Sequence, residues 1–203
     1  MEMIDVFEII GTVAFAISGA VVGIRKKMDT FGVIILSVTT AMGGGIIRDI
    51  MLNKPLPSAL ASPNMTFLSI FSALVVFYFY RHINKFENII QISDAIGLGA
   101  FTAIGARIAM TSGHETLFIT VVIGVLTGTG GGVVRDVLAN DIPLVFRKEI
   151  YASASIIGGL GYYYCHMFCS SDNIPLYIAF TITFVIRLMS VKLNLHLPTV
   201  REE

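Results

Sequence analysis

The stretch "TAMGGGIIRDIML", residues 40–52, places three consecutive glycines and an Arg-Asp pair inside an apolar segment. Residues 127–139, "TGTGGGVVRDVLA", repeat the same pattern. Glycine is about 1 kcal/mol less favourable than alanine inside a helix, and a charged pair is costly in apolar surroundings. A chain that contains this combination twice must use it for its fold, its function or both.

The composition of the chain identifies the surroundings in which these segments lie. Its 203 residues are 55% hydrophobic and only 14% charged, and the mean hydropathy is +0.79. Soluble domains carry about 25% charged residues, so this chain lacks the polar surface to face water on all sides. The formal net charge is zero, and nucleic acid is therefore not an expected partner. The composition predicts an all-α polytopic membrane protein.

Apolar runs indicate how often the chain crosses the membrane. Several runs approach the ~20 residues that a helix needs to span a bilayer, and they predict seven transmembrane helices. The predicted spans are residues 4–24, 31–53, 64–81, 91–111, 115–139, 149–168 and 174–191.

The lysines and arginines predict the orientation, because positively charged loops stay on the cytoplasmic side. With the N-terminus outside, the outer loops carry only Lys54. The cytoplasmic side then carries Arg25, Lys26, Lys27, Arg81, Lys85, Arg147, Lys148, Arg187, Lys192 and Arg201. We therefore expect a plasma (inner) membrane protein with its N-terminus outside and its C-terminus in the cytoplasm.

The two halves of the chain are copies of one unit. Residues 8–20 align with 94–106, and residues 43–53 align with 130–140. The matched residues include Glu8 with Asp94, Gly11 with Gly97, Phe15 with Phe101, Gly19 with Gly105, Arg48-Asp49 with Arg135-Asp136, and Asn53 with Asn140. Because the unit has three spans, the second copy must enter the membrane from the opposite side. The sequence predicts one transmembrane domain, with inverted repeats at about 4–81 and 91–168 and a seventh helix at about 174–191.

The glycine triplets have two interpretations. They consist of Gly43, Gly44, Gly45, Gly130, Gly131 and Gly132. The functional interpretation is a bend or break in the second and fifth spans near the bilayer centre, where freed carbonyl groups would face water and suit a cation. The other interpretation is close helix packing through small residues. The matched pair of triplets with charge beside each favours the functional interpretation.

The charged pairs beside the glycines need partners. Arg48, Asp49, Arg135 and Asp136 lie within predicted spans, where each charge costs roughly 2.5–3.5 kcal/mol unless it faces water or another charge. Each arginine therefore needs a carboxylate, either its neighbour or that of the opposite repeat. Such pairs could take part in gating, lock the repeats together, or do both.

Three further charged residues are weaker candidates. Glu8 and Asp94 begin the first and fourth spans, where they could attract cations at two mouths or act as helix N-terminal acids. Arg107 could line a pore or pair with a carboxylate. An enzyme interpretation has no support, because no catalytic signature appears and the four histidines have no metal-ligand spacing. No cofactor or bound metal is expected.

The paired GGGxxRD segments in a three-plus-three-plus-one arrangement resemble the bacterial branch of the trimeric intracellular cation (TRIC) channels. That branch overlaps a group of glycine-transporter-like bacterial membrane proteins. The resemblance implies a homotrimer among membrane lipids, with one pore per protomer, monovalent cations (chiefly potassium) as the permeant species, and spans bent at the glycines. The alternative is a secondary carrier for a small solute such as glycine, because inverted repeats also serve alternating access. A purely structural membrane protein is the third possibility.

Overall fold

The described residues of this computed structural model, namely 2–80, 86–113, 115–147, 150–169, 171 and 173–193, form helices and connecting loops, with no strand among them. The helices of this described part are α1 (Met3–Arg25), α2 (Thr30–Met51), α3 (Ser58–Ala61), α4 (Asn64–Phe79), α5 (Phe86–Thr111), α6 (Leu117–Leu138), α7 (Leu144–Arg147), α8 (Ala152–Phe168) and α9 (Ile174–Leu193).

Every predicted span coincides with a helix, but the helices differ in length. In the described residues, α1, α2, α5, α6 and α9 are long and apolar enough to cross a membrane. Helices α4 and α8 contain 16 and 17 residues and fall below that length. The fourth helix of the seven begins earlier than predicted, at Phe86. The four-residue helices α3 and α7 were not predicted.

Some residues used in the sequence argument lie outside the described part of the structure. They are the basic residues Arg81, Lys85, Lys148 and Arg201, the side chain of Arg147, and the histidines His82, His114 and His196.

Helices α2 and α6 begin and end in the same way. Each contains 22 residues, and each has an N-cap side chain that accepts a backbone N–H: Asp29 from Gly32 at 2.7 Å, and Thr116 from Ile119 at 3.3 Å. Beyond their C-termini, Asn53 and Asn140 adopt left-handed φ angles of 53° and 54°. Asparagine tolerates this conformation better than most side chains. The repeat seen in the sequence is therefore also a repeat of local structure.

The core is a cluster of the four helices α1, α2, α5 and α6. Where α1 crosses α5, Gly11 faces Phe101 and Gly97 faces Phe15, and the two rings lie 5.3 Å apart. Helix α4 packs against α1 and α2, whereas α9 packs against α5 and α8. The glycine triplets and the Arg-Asp pairs thus lie on two central helices of the molecule.

Candidate functional site: two buried arginine–aspartate pairs

Helices α2 and α6 run without interruption through the glycine triplets. Residues 40–51 and 127–138 are α-helical throughout. The predicted break is therefore wrong, since neither triplet ends a half-helix, whereas the predicted bend stays a prediction. Glycine lowers helix propensity, but tertiary packing overrides that preference when a neighbouring helix needs the space.

Four of the six glycines make the contact between α2 and α6. A Cβ on Gly44 would collide with the carbonyl oxygen of Thr127, and a Cβ on Gly131 would collide with that of Thr40. Beside them, the Cβ position of Gly130 lies 3.1 Å from the Cα of Gly44. Gly43 faces the side chain of Val134. The backbones of the two helices therefore touch, with Cα–H groups directed at carbonyl oxygens, as in close packing through small residues.

The third glycine of each triplet faces an arginine instead. A Cβ on Gly45 would lie 3.7 Å from the Nη2 atom of Arg48. Among the described residues outside the local helix backbone, no other heavy atom lies within 4 Å of that position. The Cβ position of Gly132 is likewise 3.7 Å from Nη2 of Arg135, and it is 2.8 Å from the hydroxyl of Tyr151. These two glycines leave room beside each guanidinium group.

The first site contains Arg48, Asp49, Lys54 and Glu8. Arg48 Nε donates to Asp49 Oδ1 at 2.8 Å, and Lys54 Nζ lies 3.2 Å from the same oxygen. The other oxygen, Oδ2, accepts the backbone N–H of Ser58 at 2.7 Å. Both carboxylate oxygens of Asp49 therefore have partners, namely two cations and the first backbone N–H of α3.

A small cavity of about 150 Å³, with charged and apolar side chains in its wall, lies beside this first site. Glu8 and Thr12 of α1 line it together with Gly45 and Arg48 of α2, and Ile104 of α5 forms part of its wall. Among the described residues, the ion pair of Arg48 is with Asp49, and Glu8 is not bonded to Arg48. The carboxylate of Glu8 and the guanidinium of Arg48 thus share one small cavity, and the role of Glu8 at a mouth stays a prediction.

The second site contains Arg135, Asp136, Asp94 and Ser18. Arg135 Nε and Nη2 each lie 2.8 Å from Asp136 Oδ1, and Nη1 donates to Asp94 Oδ1 and Ser18 Oγ, both at 2.5 Å. Asp136 Oδ2 accepts the backbone N–H of Leu144 at 2.9 Å. Arg135 is 1% exposed and Asp94 is 0% exposed. Asp94 therefore does not lie at a mouth, because its carboxylate is buried against the arginine.

The arginines find their carboxylates within their own repeat. Arg48 is bonded to Asp49, and Arg135 is bonded to Asp136 and Asp94, so the alternative of pairing with the opposite repeat is wrong. Arg107 is half-buried on α5, and its Nη1 atom has no hydrogen-bond partner in the described part of the chain. Neither of its two predicted roles is supported by a contact.

A third buried arginine was not predicted from the sequence. Arg187, which was counted with the cytoplasmic basic residues, is 1% exposed on α9. Its guanidinium carbon lies 5.0 Å from the ring centroid of Tyr151, which is also 1% exposed. A signal for burial was present, because Arg187 follows the apolar run "IAFTITFVI" without interruption.

The two sites offer ion pairs and one small cavity, and their described residues form no cage for a bound metal. Within the described residues, no group of three histidine, cysteine, aspartate or glutamate side chains could hold a metal ion. The fold and the doubled site define a helical membrane protein built from two copies of one unit.

Comparison with known proteins identifies the family. The family model "Glycine transporter" matches residues 5–81 and again residues 91–167. The chain is 40% identical to the UPF0126 membrane protein YvgT of Bacillus subtilis, over 96% of this chain and 95% of that protein. It is 37% identical to the UPF0126 inner membrane protein YadS of Escherichia coli K12, over 95% and 93%.

The chain also matches the solved structure of a TRIC cation channel. The sequences are 36% identical, the TM-score is 0.89, and the match covers 100% of this chain and 99% of the other. The chain therefore belongs to the family of the UPF0126 membrane proteins, and it is related over its whole length to the TRIC cation channels.

Proposed function

We propose that this protein is a monovalent cation channel, chiefly for potassium, with one pathway through each protomer of a homotrimer. The observation that carries the proposal is the cavity lined by Glu8 and Arg48 inside a chain of the TRIC family. A carboxylate that shares a cavity with a neutralised Arg-Asp pair gives cations a favourable position once water enters.

The proposed topology has seven spans, with α4 and α8 counted among them despite their length. At 1.5 Å per residue, a helix of 16 residues covers about 24 Å, and a shorter span is accommodated by local thinning of the bilayer. The orientation with the N-terminus outside follows from the basic residues. With three spans in each repeat the two repeats are inverted, and this orientation puts the first site in the outer half of the membrane and the second site in the inner half.

The proposed gate is the second site. The first site lies beside a cavity, whereas Arg135 is buried and bonded to Asp94 and Ser18. Ser18, Asp94 and Arg135 belong to α1, α5 and α6, so these bonds fasten three central helices together. Opening requires the bond between Arg135 and Asp94 to break, after which water and ions can pass between the same helices.

A secondary carrier for a small amino acid is the second candidate function. The first site presents one guanidinium and one carboxylate to the same cavity, and these charges match the two ends of a zwitterion such as glycine. A structure open on one side and closed on the other also suits alternating access.

Recording from purified protein in planar bilayers distinguishes the two candidates. We expect discrete current steps in asymmetric KCl and a reversal potential close to the potassium equilibrium potential. Glycine should neither block the steps nor accumulate in proteoliposomes. Saturable glycine uptake by proteoliposomes, without current steps, would contradict the channel and support the carrier. Mass measurement of the complex in detergent tests the trimer.

A further inference from the structure

Arg187 is a buried charge that the proposed gate does not yet use. Its Nε and Nη1 atoms have no hydrogen-bond partner among the residues that the structure describes, although the side chain is 1% exposed. An arginine keeps its charge in a protein, so it cannot avoid this penalty by losing a proton. The ring of Tyr151 offsets only part of the cost of burying this charge, and a buried charge without an anionic partner is strongly unfavourable. Arg187 therefore needs an acceptor in at least one state of the protein.

The buried carboxylate of Asp94 is the acceptor that fits this need. Its Oδ1 atom is held by Arg135, whereas its Oδ2 atom is buried and has no cation as a partner in the described part of the chain. Tyr151 lies between the two groups, because Arg187 stacks on its ring and its hydroxyl faces Asp94. A carboxylate oxygen without a cation and a guanidinium with two unpaired donors thus flank the same tyrosine.

The first site shows that a carboxylate in this fold can be shared by two cations. Asp49 Oδ1 is bonded to Arg48 at 2.8 Å and to Lys54 at 3.2 Å. The first site holds two basic and two acidic side chains, Arg48, Lys54, Asp49 and Glu8. The second site reaches the same balance only when Arg187 is counted with Arg135, Asp94 and Asp136. Arg187 therefore completes the charge of the second site, as Lys54 does in the first.

We propose that Arg187 is a positioning residue of the gate: it receives the carboxylate of Asp94 when Arg135 releases it. This inference rests on the proposed channel function. In the closed state Asp94 is bonded to Arg135, and in the open state it is bonded to Arg187. The seventh helix, which lies outside the repeats, thereby stabilises the open state. Two arginines that compete for one carboxylate form a two-state element whose populations depend on both bonds.

The test is single-channel recording of Arg187→Gln in planar bilayers, with Lys192→Gln as the matched control. Lys192 lies on the same helix but is exposed. We expect Arg187→Gln to lower the open probability roughly tenfold at unchanged unitary conductance, because Asp94 stays with Arg135. We expect Arg187→Lys to keep most of the open probability, since lysine retains the charge, and Lys192→Gln to match the unsubstituted protein.

A double-mutant cycle with Asp94→Asn separates this role from simple packing. Asp94→Asn removes the bond that holds the gate closed, so we expect a raised open probability, and Arg187→Gln should then have no further effect. If packing on Tyr151 were the only role of Arg187, its substitution would have the same effect in both backgrounds, and that result would overturn the inference. If Arg187→Gln yields no monodisperse protein, Arg187→Lys is compared in the same two backgrounds with the same criterion.

The failure of the inference differs from the failure of the proposed function. Unsubstituted protein without current steps would contradict the channel and, with it, the role of Arg187. Normal steps from the unsubstituted protein, together with an unchanged open probability in Arg187→Gln, would contradict the inference alone.

Discussion

The same Arg-Asp dipeptide occupies the same position near the end of α2 and of α6, yet the two copies have different neighbours. At the first site, Arg48 is bonded to Asp49 and faces a cavity that also holds Glu8. At the second site, Arg135 is bonded to Asp136 and reaches Asp94 on another helix. One copy is open to a cavity and the other is closed by a bond between helices.

A few substitutions between the repeats produce this difference. Thr12 lines the cavity in the first repeat, and its counterpart in the second repeat is the fully buried Leu98. Ser18 accepts a hydrogen bond from Arg135, whereas the residue at the matching position, Ile104, forms part of the cavity wall. Thr12 thus faces the cavity at the first site, and Ser18 completes the hydrogen-bond network at the second site.

The largest difference between the two sites should appear when each arginine loses its charge. Arg135→Gln leaves Asp94 and Asp136 buried without their cation, and breaking a buried ion pair on one side costs about 3–5 kcal/mol. Arg48→Gln should cost only about 1 kcal/mol, because Asp49 keeps Lys54 and Ser58 as partners. Unfolding titrations with SDS in detergent micelles measure both. Equal losses of unfolding free energy at the two sites would mean that the cavity and the remaining partners of Asp49 do not lower the cost of losing Arg48.

The second difference to test lies within one glycine triplet. Gly44→Ala places a methyl group against the carbonyl oxygen of Thr127, so α2 and α6 must separate. Overpacking of this kind costs about 1–3 kcal/mol. Gly45→Ala is the matched control, because its methyl group meets only Arg48 at 3.7 Å. We expect Gly45→Ala to be neutral or to stabilise α2 by up to about 1 kcal/mol. The midpoint of thermal unfolding in detergent is the measurement. Similar destabilisation by both variants would contradict the close backbone contact between α2 and α6 at Gly44.

Sequence reasoning predicted the seven helices and the repeat because both depend on local pattern. Helix positions follow from apolar runs, and the matched residues from Glu8 to Asn140 need no knowledge of contacts. It failed at the glycines because the same triplet can break a helix or admit a neighbour, and only the position of α6 against Gly44 decides between the two. It failed at Arg187 because a basic residue near the end of a span satisfies the positive-inside rule whether its side chain is exposed or buried.

The carboxylates of the two repeats should differ in their effect on current. Glu8 lies at the cavity, so Glu8→Gln should lower potassium conductance. A unit charge about 6 Å away in water changes a cation's energy by about 0.7 kcal/mol, so we expect the conductance to fall by a factor of about three. The effect should weaken at high salt, because mobile ions screen exposed charges. Glu115→Gln is the matched control, since Glu115 is exposed in the loop between α5 and α6. A conductance that is unchanged by Glu8→Gln at low salt would remove Glu8 from the pathway.

The smallest expected effect on stability concerns the residue that follows the asparagine with a left-handed φ angle in each repeat. Lys54 follows Asn53 and joins the first site, whereas Asp141 follows Asn140 and turns away to Lys26, at 2.7 Å. Both partners of this second pair are partly exposed, with side-chain exposures of 36% and 42%. Exposed ion pairs contribute about 0.2–1 kcal/mol. A double-mutant cycle of Lys26→Gln and Asp141→Asn should therefore give a coupling of about 0.5 kcal/mol that disappears in concentrated salt. A coupling of several kcal/mol that persists in salt would mean that this pair is shielded from water in the assembled protein, and that α1 and the end of α6 are fastened together as firmly as the helices of the second site.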